Sequence, residues 1–117
     1  GVWINEPTPD PAQVRAQYTV IDSRDLAIRP GEFTGEKIVV TGTVFNIMVD
    51  GNMTFMQIWL DGASYEAAVI IYFGNSRGIY QDTWITVYGV GAGTFEGTNL
   101  NGGPILQPRV DADIVDF

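Results

Sequence analysis

A run of β-branched residues with a glycine in its centre, GEKIVVTGTV (Gly35 to Val44), constrains this chain more than any other stretch. Glycine weakens a flat strand, so Gly42 in that place implies a bulge, a bend at a barrel corner, or a close backbone neighbour. The run continues as one long predicted strand, Lys37 to Val49. Alternation puts Ile38, Val40, Gly42, Val44 and Met48 on one face, and Lys37, Val39, Thr41, Thr43 and Phe45 on the other. With the first set inward, Gly42 stands where a coiling strand needs room. Such a strand can pair with one neighbour in its first half and another in its second, which closes a barrel.

Four more strands follow in the same β-rich texture, separated by glycine-rich turns. They are Met53 to Asp61, Tyr65 to Phe73, Thr83 to Gly91 and Ile105 to Val115. Asp50-Gly51-Asn52 makes the first hairpin, because Asp-Gly accepts positive φ. Gly74 to Asp82 is too short for a long helix, and Ala92 to Gly103 reads as a long polar loop. The expected fold is therefore all-β with a short N-terminal helical segment, a five-stranded OB-fold-like closed barrel. An SH3-like barrel lacks the thirteen-residue opening strand, and a sandwich needs more strands.

Before the barrel, Asn5 to Pro11 holds three prolines in seven residues and reads as an extended linker. Two short helices follow. Asp10 caps the first with Pro11 at its first position, and Asp22 or Ser23 caps the second, which Pro30-Gly31 stops. The expected organisation is a linker over residues 1–11, whose Gly1 start suggests trimming, and one domain over 12–117. Leu26, Ile28 and Phe33 are expected to cap an open barrel end.

The resemblance lies in two strings. "RDLAIRPGEFTGEKIVVTGTV" (Arg24 to Val44) carries Leu26, Pro30, Phe33, Gly35, Lys37 and Gly42. "DTWITVYGVGAGTFEGTNLNGGPILQPRVDADIV" (Asp82 to Val115) carries Asp82, Val87, Tyr88, Gly89, Gly93, Gly103 and Pro108. Together they resemble small bacterial OB domains of the tRNA anti-like group, found in envelope proteins and lipoproteins. The resemblance implies an OB fold and an extracytoplasmic, cell-envelope setting. It carries no catalytic residues, and its name implies nucleic-acid binding only by analogy of fold.

Composition narrows the chemistry. With no cysteine and no histidine among 117 residues, disulfides, thiolate or imidazole metal sites, and Ser-His or Cys-His catalysis are excluded. The net charge is −8, with Lys37 the only lysine and Arg15, Arg24, Arg29, Arg77 and Arg109 scattered. That surface repels polyphosphate. Asp111, Asp113 and Asp116 lack a tight calcium loop; we expect Asp111 and Asp113 on one solvated face, guarding a terminal strand against edge pairing. Gly93 to Gly103 lacks the ending of a phosphate-binding loop. No spacing brings two carboxylates such as Asp61 and Glu66 to one cleft, so no enzyme activity, metal or cofactor is expected.

The candidate site is the outward face of the second and third predicted strands. If Met56, Ile58 and Leu60 point inward, Phe55, Gln57 and Trp59 point out; if Val69, Ile71 and Phe73 point inward, Ile70 and Tyr72 point out. OB folds bind ligands on this face and on the loop between strands four and five, where Glu96, Asn99 and Asn101 offer hydrogen bonds. Trp84 and Tyr88 are expected beneath that loop. The leading reading is a non-catalytic binding module for a protein, peptide or small polar ligand, without membrane insertion. A single-strand nucleic-acid binder using Phe55, Trp59 and Tyr72 with Arg77 and Arg109 stays open, as does a ligand-free assembly domain that forms a homo-oligomer.

Overall fold

A computed structural model describes residues 10–98 and 102–117. Helix α1 (Pro11–Arg15) starts where Asp10 accepts the Ala12 N–H at 2.9 Å. A two-residue strand β1 (Thr19–Val20) leads to α2 (Ser23–Ile28), capped by Asp22 through the Arg24 N–H. Pro30–Phe33 then forms one 3-10 turn. Both caps fall where a short acceptor precedes the first turn, as the residue pattern dictates.

Five strands build the barrel: β2 (Lys37–Asp50), β3 (Met53–Leu60), β4 (Ala67–Tyr72), β5 (Trp84–Thr98) and β6 (Pro104–Asp116). The order β2-β3-β4-β6-β5 returns to β2, with β4 and β6 parallel and the other barrel pairs antiparallel. This all-β ring is the OB-type closed barrel expected. The long strand serves two neighbours in turn: Lys37 to Thr43 pairs with β5, and Gly42 to Asp50 with β3. Gly42 is the hand-over point, opposite Ile85 on one side and Leu60 on the other. A Cβ there would press into the Trp59 carbonyl and lie 3.2 Å from Ile58 Cδ1. The glycine marks a close backbone approach as well as a bend.

The core is apolar and continuous, from Ile38, Val40 and Val44 across to Ile58, Ile70 and Val110. Leu26 of α2 and Ile79 of the link between β4 and β5 join it, and Phe33 packs against it. Ile28, expected beside them, is exposed. The helical segment therefore meets the core through Leu26, with Ile21, Ala27 and Phe33 packed around it.

Four expectations need correction. Met48 does not point inward: a bulge at Phe45 inserts one residue, Asn46 then pairs with Gln57, and Ile47 takes the inward place. One extra residue reverses the alternation of everything beyond it. Ile70 and Tyr72 do not point outward, because they sit across from inward Met56 and Thr54; Ile70 belongs to the core and Tyr72 packs against it. β4 is apolar on both faces, so alternation alone could not set its phase.

The expected Ala92 to Gly103 loop is mostly a two-stranded ribbon, with Thr94 to Thr98 paired to Pro108 to Pro104 after a bulge at Gly91 to Thr94. Finally, β6 is no edge strand, since it lies between β4 and β5. Asp113 sits at a second bulge, where Ile114 pairs with Tyr88 and Ala112 with Gly89. Its phase therefore differs from that of Asp111, and the expected acidic face does not form.

Candidate ligand-binding cleft

Two arms rise from the barrel. One is the β2–β3 hairpin beyond the Phe45 bulge, turning through Gly51 at φ +60°. The other is the β5–β6 ribbon. Between them, over the outer face of β3, lies a cleft of ≈ 630 Å³. Its apolar walls are Phe45, Met48, Met53, Phe55, Phe95 and Ile105. Phe55 and Phe95 meet across it with ring centroids 5.5 Å apart, so the ribbon closes onto β3 through an aromatic contact.

An amide relay crosses the same region. Asn46 donates to Gln57 Oε1 at 2.8 Å, and Gln57 Nε2 donates to Gln107 Oε1 at 3.0 Å. Gln57 is buried, yet both its amide atoms are used, so it ties β2, β3 and β6 together without leaving a polar group unpaired. Among the described residues, Asp50 is the one charged residue in the lining, and no lysine or arginine lines the cleft.

The sequence-derived candidates separate clearly. Phe55 and Gln57 line the cleft, while Trp59 lies next along β3, stacked on Phe45 at 4.2 Å. Ile70 and Tyr72 face the core. Glu96 is exposed and pairs with Leu106, out of phase with cleft-lining Phe95. Asn99 and Asn101 lie outside the described residues. Arg77 is exposed in the link before β5, and Arg109 is engaged by Asp111 at 2.8 Å; neither lines the cleft. The lining residues missed are Phe45, Asn46, Met48, Asp50, Met53, Phe95, Thr98 and Ile105. The alternation of TFEGT against PILQP was the available signal for the ribbon.

The Asp-rich end of the chain has separate partners rather than a common centre. Asp111 holds Arg109, Asp113 accepts from the Tyr18 hydroxyl at 2.7 Å, and Asp116 takes Arg15 through two bonds of 2.7 and 2.8 Å. Tyr18 meets Tyr88 edge-on at 5.8 Å, and the Arg15 guanidinium stands 5.5 Å over the same ring. Tyr88 is thus covered by the N-terminal segment, not by the β5–β6 connection as expected. Trp84 stays exposed.

This clasp predicts a pH response. The Arg15 hydrogen bonds hold the Asp116 carboxyl below its ordinary value of 3.8. Burial first, then the Asp113 hydrogen bond, pushes the Tyr18 hydroxyl up to about 12. The Asp116 contribution is complete above the ordinary carboxylate range and lost as pH falls through the lowered pKa. The Tyr18 contribution is complete below about pH 10 and lost as pH rises towards 12. In melts across pH, Asp116→Asn should be less stable than the parent near neutrality and converge with it at acid pH. A constant gap down to the lowest pH would contradict the pairing.

No protein-family model matches the chain, and no curated protein matches it. Among solved structures, it is similar to a "putative aspartyl-tRNA synthetase" from Leishmania major Friedlin, with a TM-score of 0.60 at 14% identity. The match covers 97% of this chain and 22% of that one, so the chain corresponds to about a fifth of the larger protein. At such identity the likeness speaks for fold alone. Strand order and likeness together define an OB-type module. No helix among the described residues is long and apolar enough to cross a membrane.

Proposed function

We propose that the protein is a non-catalytic binding module whose cleft receives a peptide segment of another protein. The observation that supports this most is the cleft itself: six apolar side chains between two hairpin arms, a satisfied amide relay, and one acid with no base. Such a site suits an apolar or aromatic anchor flanked by positive charge, in keeping with a chain of net charge −8. The two methionines allow the walls to adapt to the anchor.

Selection of displayed random peptides against the protein tests this. Enriched peptides should share an apolar anchor with neighbouring Lys or Arg, and Phe55→Ala should weaken them about tenfold or more. Peptides indifferent to Phe55→Ala would refute the assignment.

A second reading is supported by the likeness to a protein described as a tRNA synthetase and by outward aromatics on β3. A single-stranded nucleic acid would stack on Phe55 and Trp59, each base contributing ~1–3 kcal/mol. The absence of Lys and Arg from the cleft lining among the described residues counts against it. Fluorescent oligonucleotide binding that weakens steeply with salt would favour this reading over the first. No binding at low ionic strength would remove it.

A further inference from the structure

Beside the cleft, beyond the Phe45–Trp59 stack, lies a second, shallower groove that the peptide reading does not use. Its lining includes Trp59, Trp84, Tyr65, Thr43, Asp61 and Ser64. We propose that this groove is a binding site for a neutral oligosaccharide.

Register puts the aromatics in place. Thr43 pairs with Trp59 on β3 and with Trp84 on β5, so the two indoles flank one threonine across the sheet. Two strand spacings separate their backbones by roughly 10 Å, a span that a disaccharide covers. Trp59 is 42% exposed and Trp84 52%. Phe45 backs one face of Trp59 at 4.2 Å and a 24° interplanar angle, which fixes that ring while leaving part of it open to the groove.

The third aromatic is held out by the backbone. Tyr65 is 91% exposed and has φ +64°, directly after Ser64 at φ +31°. Both angles lie in the left-handed region that non-glycine residues seldom occupy. The turn is nevertheless firmly bonded: Leu60 N–H donates to the Glu66 carbonyl at 2.8 Å, and Glu66 N–H to the Ala63 carbonyl at 2.9 Å. Ala63 itself is buried in the core. The Tyr65 backbone is therefore held on a hydrogen-bonded turn, which keeps the ring beside the groove.

The polar groups decide the ligand class. The Asp61 carboxylate has no side-chain partner among the described residues, so it is available to accept. Asp61, Ser64 and Thr43 supply acceptors and hydroxyls beside flat apolar faces. A sugar ring has an apolar C–H face to lay on an indole and a rim of hydroxyls to donate to a carboxylate. A proline-rich peptide also fits aromatic grooves, but it has few N–H groups with which to use the Asp61 carboxylate, whereas a sugar has many hydroxyls. The net charge of −8 disfavours phosphorylated or uronic sugars.

Isothermal titration calorimetry with cellohexaose, laminarihexaose and chitohexaose tests the site. At least one should bind saturably with a Kd of about 1 mM or tighter. Trp84→Ala and Asp61→Asn, both at exposed positions, should each weaken it about tenfold or more while melting as the parent does. Phe55→Ala should leave sugar binding intact, so this site and the peptide cleft fail separately. The proposal is overturned if none of the three sugars binds at up to about 10 mM. It is equally overturned if binding survives Trp84→Ala, or if polyproline binds there and the sugars do not.

Discussion

Gly42→Ala should lower unfolding free energy by about 3 kcal/mol, the upper end of ordinary overpacking, and the melting temperature by roughly 12 °C. The added methyl meets the carbonyl of Trp59, whose carbon would lie 3.0 Å away. That obstacle is paired backbone, so no rotamer change can clear it. Movement would instead have to separate β2 from β3 at the residue where β2 also holds β5. Gly42→Val should be worse, because a branched side chain adds bulk at the same crossing. Gly31→Ala is the control: nothing lies within 4 Å of its Cβ position, and the change should fall within about ±0.5 kcal/mol. Urea unfolding of the three variants measures the differences. A Gly42→Val protein as stable as the parent would contradict the closure of the barrel at this residue.

The same residue shows which parts of the fold were legible in the sequence. Gly42, the Asp50-Gly51-Asn52 turn and the caps at Asp10 and Asp22 depend on local backbone demands that few residue types meet, and such demands are written locally. The bulge at Phe45 is different. It leaves no composition mark, yet it moves Met48 from the core to the cleft and replaces it with Ile47. β4 failed for the opposite reason, since Ala67 to Ile71 are all buried and either phase of that apolar run looks inward. Phe55, Gln57 and Trp59 share the outer face of β3 as expected, because the amide of Gln57 between Met56 and Ile58 marks the phase of that strand. Their partners Phe95 and Ile105 were hidden by glycines, which made a paired ribbon read as a loop. Half the site thus rests on pairings between residues far apart in sequence, where periodicity has no reach.

Leu26→Ala should cost about 3 kcal/mol, while Ile28→Ala should change stability by less than about 0.5 kcal/mol. The two residues share one helix and stand two positions apart, yet Leu26 is 1% exposed and Ile28 70%. A six-residue helix has no stability of its own in water, so α2 exists because Leu26 is held in the barrel core. Truncating Leu26 removes the anchor and leaves a cavity among core side chains that the barrel strands cannot move to fill. Truncating Ile28 removes surface that water already reaches. Thermal and urea unfolding of the two variants, side by side, decide whether the N-terminal segment is a plug or an ornament. Equal small losses would mean that Ile79 and the strands close that end unaided, and that the segment is held by the Arg15–Asp116 and Tyr18–Asp113 clasp instead. A large loss confined to Leu26→Ala would make the helix part of the folding unit, as the buried leucine requires.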